Sequence, residues 1–150
     1  MDNKGEKKMA INVYLNFKGN CREAVEFYAD AFGAEQQKIM TFGDAPTNPE
    51  FPVSEETKHL VMHTFLNIKG SMVMFSDVPQ GMPFTIGNNI SLVISRKDVE
   101  EVKAMFNKLK VGGTIHMDIQ ETFWSKCYGF VVDKFGIGWQ LSHESEETQM

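Results

Sequence analysis

Residues 20–33, NCREAVEFYADAFG, and residues 98–113, DVEEVKAMFNKLKVGG, read as one helix written twice. In the first, Asn20 stands as N-cap with Glu23 three positions on, an Asn form of the capping box. Ala24, Phe27, Tyr28, Ala31 and Phe32 then recur at i, i+3, i+4, i+7 and i+8 as a single apolar stripe. Gly33 fits the left-handed residue that ends a helix. In the second, Asp98 and Glu101 hold the same box positions. Val99, Val102, Met105, Phe106 and Leu109 make the stripe, and Gly112-Gly113 closes it. Asn20 and Asp98, Glu23 and Glu101, and Tyr28 and Phe106 are each 78 positions apart. Cap, box acid and core aromatic coincide at one offset, which predicts an internal duplication.

The flanking text repeats as well. Before the first helix, Ile11, Val13, Leu15 and Phe17 alternate with Asn12, Tyr14 and Asn16, as in a strand with two different faces. After it, Gln37–Phe42 reads as a strand and Gly43–Thr57, with three prolines, as a loop. Leu60–Ile68 and Met72–Phe75 read as strands joined in a hairpin at Lys69-Gly70. The second copy runs through strands Ile90–Ser95, Thr114–Ile119, Tyr128–Val132 and Ile137–Leu141, with the last two joined by Asp133-Lys134-Phe135-Gly136. The expected fold class is α+β: paired β-α-β-β-β modules forming a cup-shaped mixed sheet with the helices outside. Module one spans about 10–77 and module two about 88–143 of a single domain covering 1–150. Residues 1–9 and 144–150 read as polar, flexible ends.

Bulk properties narrow the function. A length of 150 residues suits one domain with its own core. The net charge of −5 and the absence of a cationic helix face argue against nucleic acid and against an anionic membrane surface. No apolar run approaches the ~18–20 residues of a membrane span, and the first residues lack a signal-peptide core. Cys21 and Cys127 make no C-x-x-C pair and no disulfide framework. A cytoplasmic location is expected.

Three stretches carry a family resemblance: YLNFKGNCREAVEFYADAFGAE (14–35), MVMFSD (72–77) and GGTIHMDIQETFWSKCYGFVVDKFGIGWQL (112–141). Over residues 11–142 the chain resembles the PhnB-like branch of the vicinal oxygen chelate superfamily, which includes glyoxalase I, bleomycin-resistance proteins and extradiol dioxygenases. The resemblance implies the glyoxalase/bleomycin resistance fold, a ligand cavity in the cup, and homodimers. In active members it also implies a divalent metal held by four His, Gln or Glu ligands from the first and fourth strands of each module. In this chain those positions fall on Asn12 (or Val13), on Met72, Met74 or Ser76, on Ser91, and on Gln140. Such a set supplies no imidazole and no anion, and Met prefers soft metals. No cofactor is therefore predicted, and a divalent metal is disfavoured.

The expected ligand-binding residues are Asn12, Tyr14, Asn16, Met72 and Met74 in module one. In module two they are Ser91, Phe123, Trp124 and Gln140. Phe123, Trp124 and Tyr128 read equally as pocket walls and as core or dimer contacts. Met62, Met72, Met74, Met82 and Met117 read as core before they read as an adaptable wall. His59 and His63, four apart in a strand, share a face but stand about 13 Å apart; with His116 and His143 they read as ordinary histidines. Cys127 reads as a small hydrophobe in a strand, Cys21 as a surface residue, and Asp133 as a turn former.

The resulting expectation is a small, partly apolar molecule bound in the cup without a tight metal. The alternative is a metal-dependent isomerase, lyase or dioxygenase-like enzyme with atypical ligands; a third is a structural dimer. PhnB-like proteins also carry the name 3-demethylubiquinone methyltransferase. That chemistry requires a glycine-rich loop in a doubly wound parallel sheet, and the chain has no G-x-G-x-x-G.

Overall fold

Both helices form where the apolar stripes place them. The computed structural model describes residues 10–46, 49–50 and 52–145, so the expected flexible ends lie outside the described residues except for 144 and 145. The chain divides into two compact units, one ending at Phe84 and the other beginning at Thr85.

The first unit runs β1 (Val13–Phe17), α1 (Cys21–Phe32), β2 (Met40–Thr41), α2 (Glu55–Lys58), β3 (Val61–Ile68) and β4 (Ser71–Asp77). Its sheet order is β1-β4-β3-β2, with β1 parallel to β4 and the other pairs antiparallel. The second unit runs β5 (Ser91–Arg96), α3 (Val99–Leu109), β6 (Thr114–Gln120), β7 (Tyr128–Val132) and β8 (Gly138–His143). Its order is β5-β8-β7-β6, again with a parallel first–fourth pair. The two units are therefore the same β-α-β-β-β module, and the duplication read from the helices is real.

Each helix packs on one face of its own sheet. Ala24, Val25, Tyr28 and Phe32 of α1 are buried with Leu66, Val73 and Phe75, and Tyr28 stacks on Phe75 at 5.9 Å. Val102, Met105, Phe106 and Leu109 of α3 are buried with Val131, Trp139 and Leu141. Fully burying one such side chain contributes about 1.5–3 kcal/mol, so these stripes dominate the stability of each unit. Among the described residues, no helix is long and apolar enough to cross a membrane.

Local departures have local causes. The strand expected at Gln37–Phe42 contracts to Met40–Thr41, because Asp44 turns back to accept from the Thr41 amide at 2.9 Å and starts a 3-10 turn over Phe42–Asp44. The expected loop holds the short helix α2, whose N-cap Ser54 accepts from the Thr57 amide at 3.1 Å. His59 ends that helix and does not belong to β3. Gly33 adopts φ 66° and closes α1 as expected.

The largest departure is at the start of α1. Asn20 occupies the N-cap position but makes no side-chain cap bond. Asp77, at the end of β4 and only 3% exposed, does that work instead. Its Oδ1 accepts from the Gly19 and Cys21 amides at 2.7 and 3.0 Å, and its Oδ2 from the Val61 amide at 3.0 Å. In the second unit Asp98 caps α3 as expected, accepting from the Glu100 amide at 2.9 Å, while Glu101 pairs with Arg96 at 3.1 Å.

Candidate functional site

Strand partners in register share a face, so pairing decides which side chains stand opposite each helix. In the first unit, Tyr14, Met74 and Phe65 form one row across β1, β4 and β3 on the face away from α1. Met72 with Asn67, and Asn16 with Ser76, form the rows on either side. The Ser76 hydroxyl donates to Asn16 Oδ1 at 3.2 Å. Asn12 stands one residue before β1, exposed. Four of the residues expected here, Tyr14, Asn16, Met72 and Met74, thus share one open face.

That face also holds a residue not expected at a site. Tyr14 Oη lies 3.3 Å from His63 Nδ1, with the rings 5.9 Å apart. His63 read as an ordinary strand histidine because its contact is with a residue 49 positions away. The only local signal was its parity with Phe65.

In the second unit, Val93, Gln140 and Phe130 share a row opposite α3, with Met117 beside Phe130. A continuous hydrogen-bonded chain runs over this face. The Tyr128 phenol donates to Gln140 Oε1 at 2.6 Å, and Gln140 Nε2 donates to Ser91 Oγ at 2.8 Å. Burial pushes the Tyr128 phenol above its ordinary value, so it stays a neutral donor near neutral pH. Trp124 packs edge-on against Tyr128 at 5.4 Å and against Phe123 at 4.8 Å. Phe123 is 96% exposed and Trp124 49%, so neither is a core residue in this chain. With Ser125, Lys126 and His143 they line a cleft of about 360 Å³. Another cleft, of about 400 Å³, lies in the first unit against Leu60, Val78, Pro79 and Met82, away from the residues expected to bind.

Several expectations are corrected here. Met72, Met82 and Met117 are exposed, and Met62 and Met74 half-buried, so none of these methionines is core. Met72, Met74 and Met117 occupy strand positions that point away from the helices. Cys21 is fully buried rather than at the surface, because α1 turns its first residue inward beneath Asp77. Burial and then the Asp77 charge push its thiol up to about 12. Cys127 stands one residue before β7 rather than in a strand; it is buried, and burial raises its thiol too. Neither is an activated nucleophile. Asp133 serves its turn: it accepts from the Phe135 and Ile137 amides and from Trp139 Nε1 at 2.8, 3.1 and 2.9 Å.

The metal that the superfamily implies can be tested on donor chemistry. Gln140 is the one candidate ligand with appreciable donor strength, and both ends of its amide are engaged by Tyr128 and Ser91. The candidate positions of the first unit present one amide, a hydroxyl and thioethers. His116 stacks on Phe130 at 5.3 Å, and His143 Nε2 meets the Lys97 carbonyl at 3.1 Å. Among the described residues, no three His, Cys, Asp or Glu side chains converge. These residues do not fit a divalent metal.

A family model described as 3-demethylubiquinone-9 3-methyltransferase matches residues 9–142. The chain belongs to this family. Protein YjdN of Escherichia coli K12, a relative of this PhnB-like chain, is 34% identical over 141 residues, covering 89% of this chain and 95% of that one. Protein PA1353 of Pseudomonas aeruginosa superposes with a TM-score of 0.81 at 29% identity, covering 93% of this chain and all of that one. The PhnB protein of Bacillus cereus gives 0.68 at 28% identity, over 91% of this chain and all of that one. At 13% identity the fosfomycin resistance protein FosX of Listeria monocytogenes shares the fold alone, with a TM-score of 0.61. The PhnB-like resemblance and the glyoxalase/bleomycin resistance fold are both borne out.

Proposed function

We propose that this PhnB-like protein binds a small, uncharged, partly apolar molecule against its open sheet faces, without a tightly held metal. The observation that carries this reading is the Tyr128–Gln140–Ser91 chain. Its Ser91 and Gln140 occupy positions where the superfamily's metal ligands are expected, and each end of the Gln140 amide already holds a hydrogen bond. Met72, Met74 and Phe65, with Asn16, Tyr14 and Ser76 beside them, supply the mix of apolar floor and a few polar groups that small-molecule sites use. The open sheet face of each unit is the proposed location. Phe123 and Trp124 are the proposed aromatic contributors, and a cytoplasmic homodimer the proposed form.

The family's methyltransferase description does not carry over as a mechanism. Both sheets have the order first-fourth-third-second, with one parallel pair each. Neither offers the switch point of a doubly wound sheet, where a cofactor's anionic groups meet a helix N-terminus.

The test is native mass spectrometry of protein purified without chelator or affinity metal, followed by a thermal-shift screen of neutral small molecules. A stoichiometric organic adduct or stabilising ligand, with metal far below one per chain, is the expected result. Tightly bound metal at one per chain would overturn the reading in favour of a metal enzyme with atypical ligands. Sedimentation or light scattering on the same sample tests the dimer.

A further inference from the structure

We propose that Tyr14 and His63 form a head-group subsite on the open face of the first unit, selecting an uncharged hydroxyl carried on a flat apolar body. The proposal rests on the binding reading above and names the ligand chemistry at one place within it.

The argument begins with the grading of that face. Its rows run from Met72 and Asn67, through Tyr14, Met74 and Phe65, to Asn16 and Ser76. Met72, Met74 and Phe65 make an apolar floor, with a thioether beside an aromatic ring. Tyr14 Oη, His63, Asn16 and Ser76 gather polar atoms toward one end, while Asn67 at the other end spends its Oδ1 on the Gly70 amide at 2.8 Å. An amphipathic ligand lying along β4 therefore has one favoured orientation, with its polar head toward His63.

The head group is narrowed by charge. No Asp, Glu, Lys or Arg occupies these rows. A carboxylate would find no Lys or Arg partner in these rows, and an ammonium no counter-charge. A hydroxyl suits the couple because it donates and accepts at once. Tyr14 Oη donates to Nδ1 in one His63 tautomer, and Nδ1–H donates to Oη in the other. At 3.3 Å the direct contact is long, since a nitrogen–oxygen hydrogen bond usually spans about 2.7–3.2 Å. A ligand hydroxyl that accepts from one of the two and donates to the other exchanges one long bond for two of ordinary length.

The experiment uses the full chain and three probes with one hydrocarbon body: 1-naphthol, naphthalene and 1-naphthoate, titrated by calorimetry. Binding of 1-naphthol at least tenfold tighter than either other probe is expected. Tyr14→Phe and His63→Ala should each erase that preference, with circular dichroism confirming the fold. Nitrogen-15 shifts of the His63 ring on adding 1-naphthol give a second readout that does not depend on a variant. Equal binding of all three probes, a preference that survives in both variants, or no binding of 1-naphthol would overturn the subsite. If neutral molecules from the screen bind but ignore both substitutions, the general binding reading stands and only the subsite falls. If nothing binds anywhere, both fall.

Discussion

Asp77 accepts a hydrogen bond from the amide of Cys21 at 3.0 Å across 56 positions of sequence, and so a residue that ends β4 holds the beginning of α1. The same carboxylate takes the Gly19 and Val61 amides. Three segments of the first unit thus converge on one buried side chain. Removing it leaves buried N–H groups without partners, at a cost of about 1–3 kcal/mol for each unsatisfied group. Asp77→Ala should lower the urea-unfolding free energy by about 3 kcal/mol or more. Asn20→Ala should cost under about 0.5 kcal/mol, below the ~1 kcal/mol typical of a working N-cap. Comparable losses in the two variants would refute the assignment of the cap to Asp77.

Asp133 plays the corresponding part in the second unit, binding two turn amides and the indole of Trp139. Asp133→Ala should destabilise by about 2–3 kcal/mol. It should also red-shift the emission of Trp139, which is only 2% exposed, as water reaches the freed indole. A Trp124→Phe background isolates that signal. An unchanged spectrum with full loss of stability would mean that the indole bond contributes nothing.

Gly129 owes its place in the Tyr128-Gly129 pair to α3. A Cβ there would lie 2.7 Å from Phe106 Cε1 and 2.9 Å from Ile119 Cδ1, inside contact distance. Gly129→Ala should therefore cost about 1–3 kcal/mol by overpacking. Trimming the ring with Phe106→Leu should make the second substitution less than additive. Strict additivity in this double-mutant cycle would exclude the clash as the cause.

The Cys21 thiol, raised from 9.0 to about 12, links folding to alkaline pH. Above about pH 9 the unfolded chain gives up this proton while the folded chain keeps it, so the unfolded state binds fewer protons and stability falls as pH rises. The contribution is intact below about 9 and is lost progressively toward 12. Unfolding free energy should decline more steeply between about pH 9 and pH 10.5 in the parent than in Cys21→Ala. Parallel slopes would contradict it. At neutral pH neither cysteine should react with Ellman's reagent until the protein unfolds.

What was legible in advance was local. Tyr28 and Phe106 were recognisable as core residues because helical periodicity is written within one or two turns, and both are buried. The Asp133 turn was readable because an Asp in a tight turn bonds amides two and four residues on. The methionines misled because composition alone does not say which strand face meets a helix, and Met72, Met74 and Met117 occupy the face that does not.

By itself, the chain's periodicity determined two copies of a β-α-β-β-β module and their helix stripes, and the family resemblance implied ligand positions that hold weak donors for a divalent metal. The tertiary structure decided what long-range strand pairing brings together: the Asp77 cap, the Tyr14–His63 contact and the Tyr128–Gln140–Ser91 chain. The physical reason is range. A stripe or a turn is set by bonds a few residues long, whereas β1 meets β4 and β5 meets β8 only after the intervening chain has folded back. The register of those parallel pairs, which no local pattern encodes, places Gln140 beside Ser91 and sets Asp77 beneath α1.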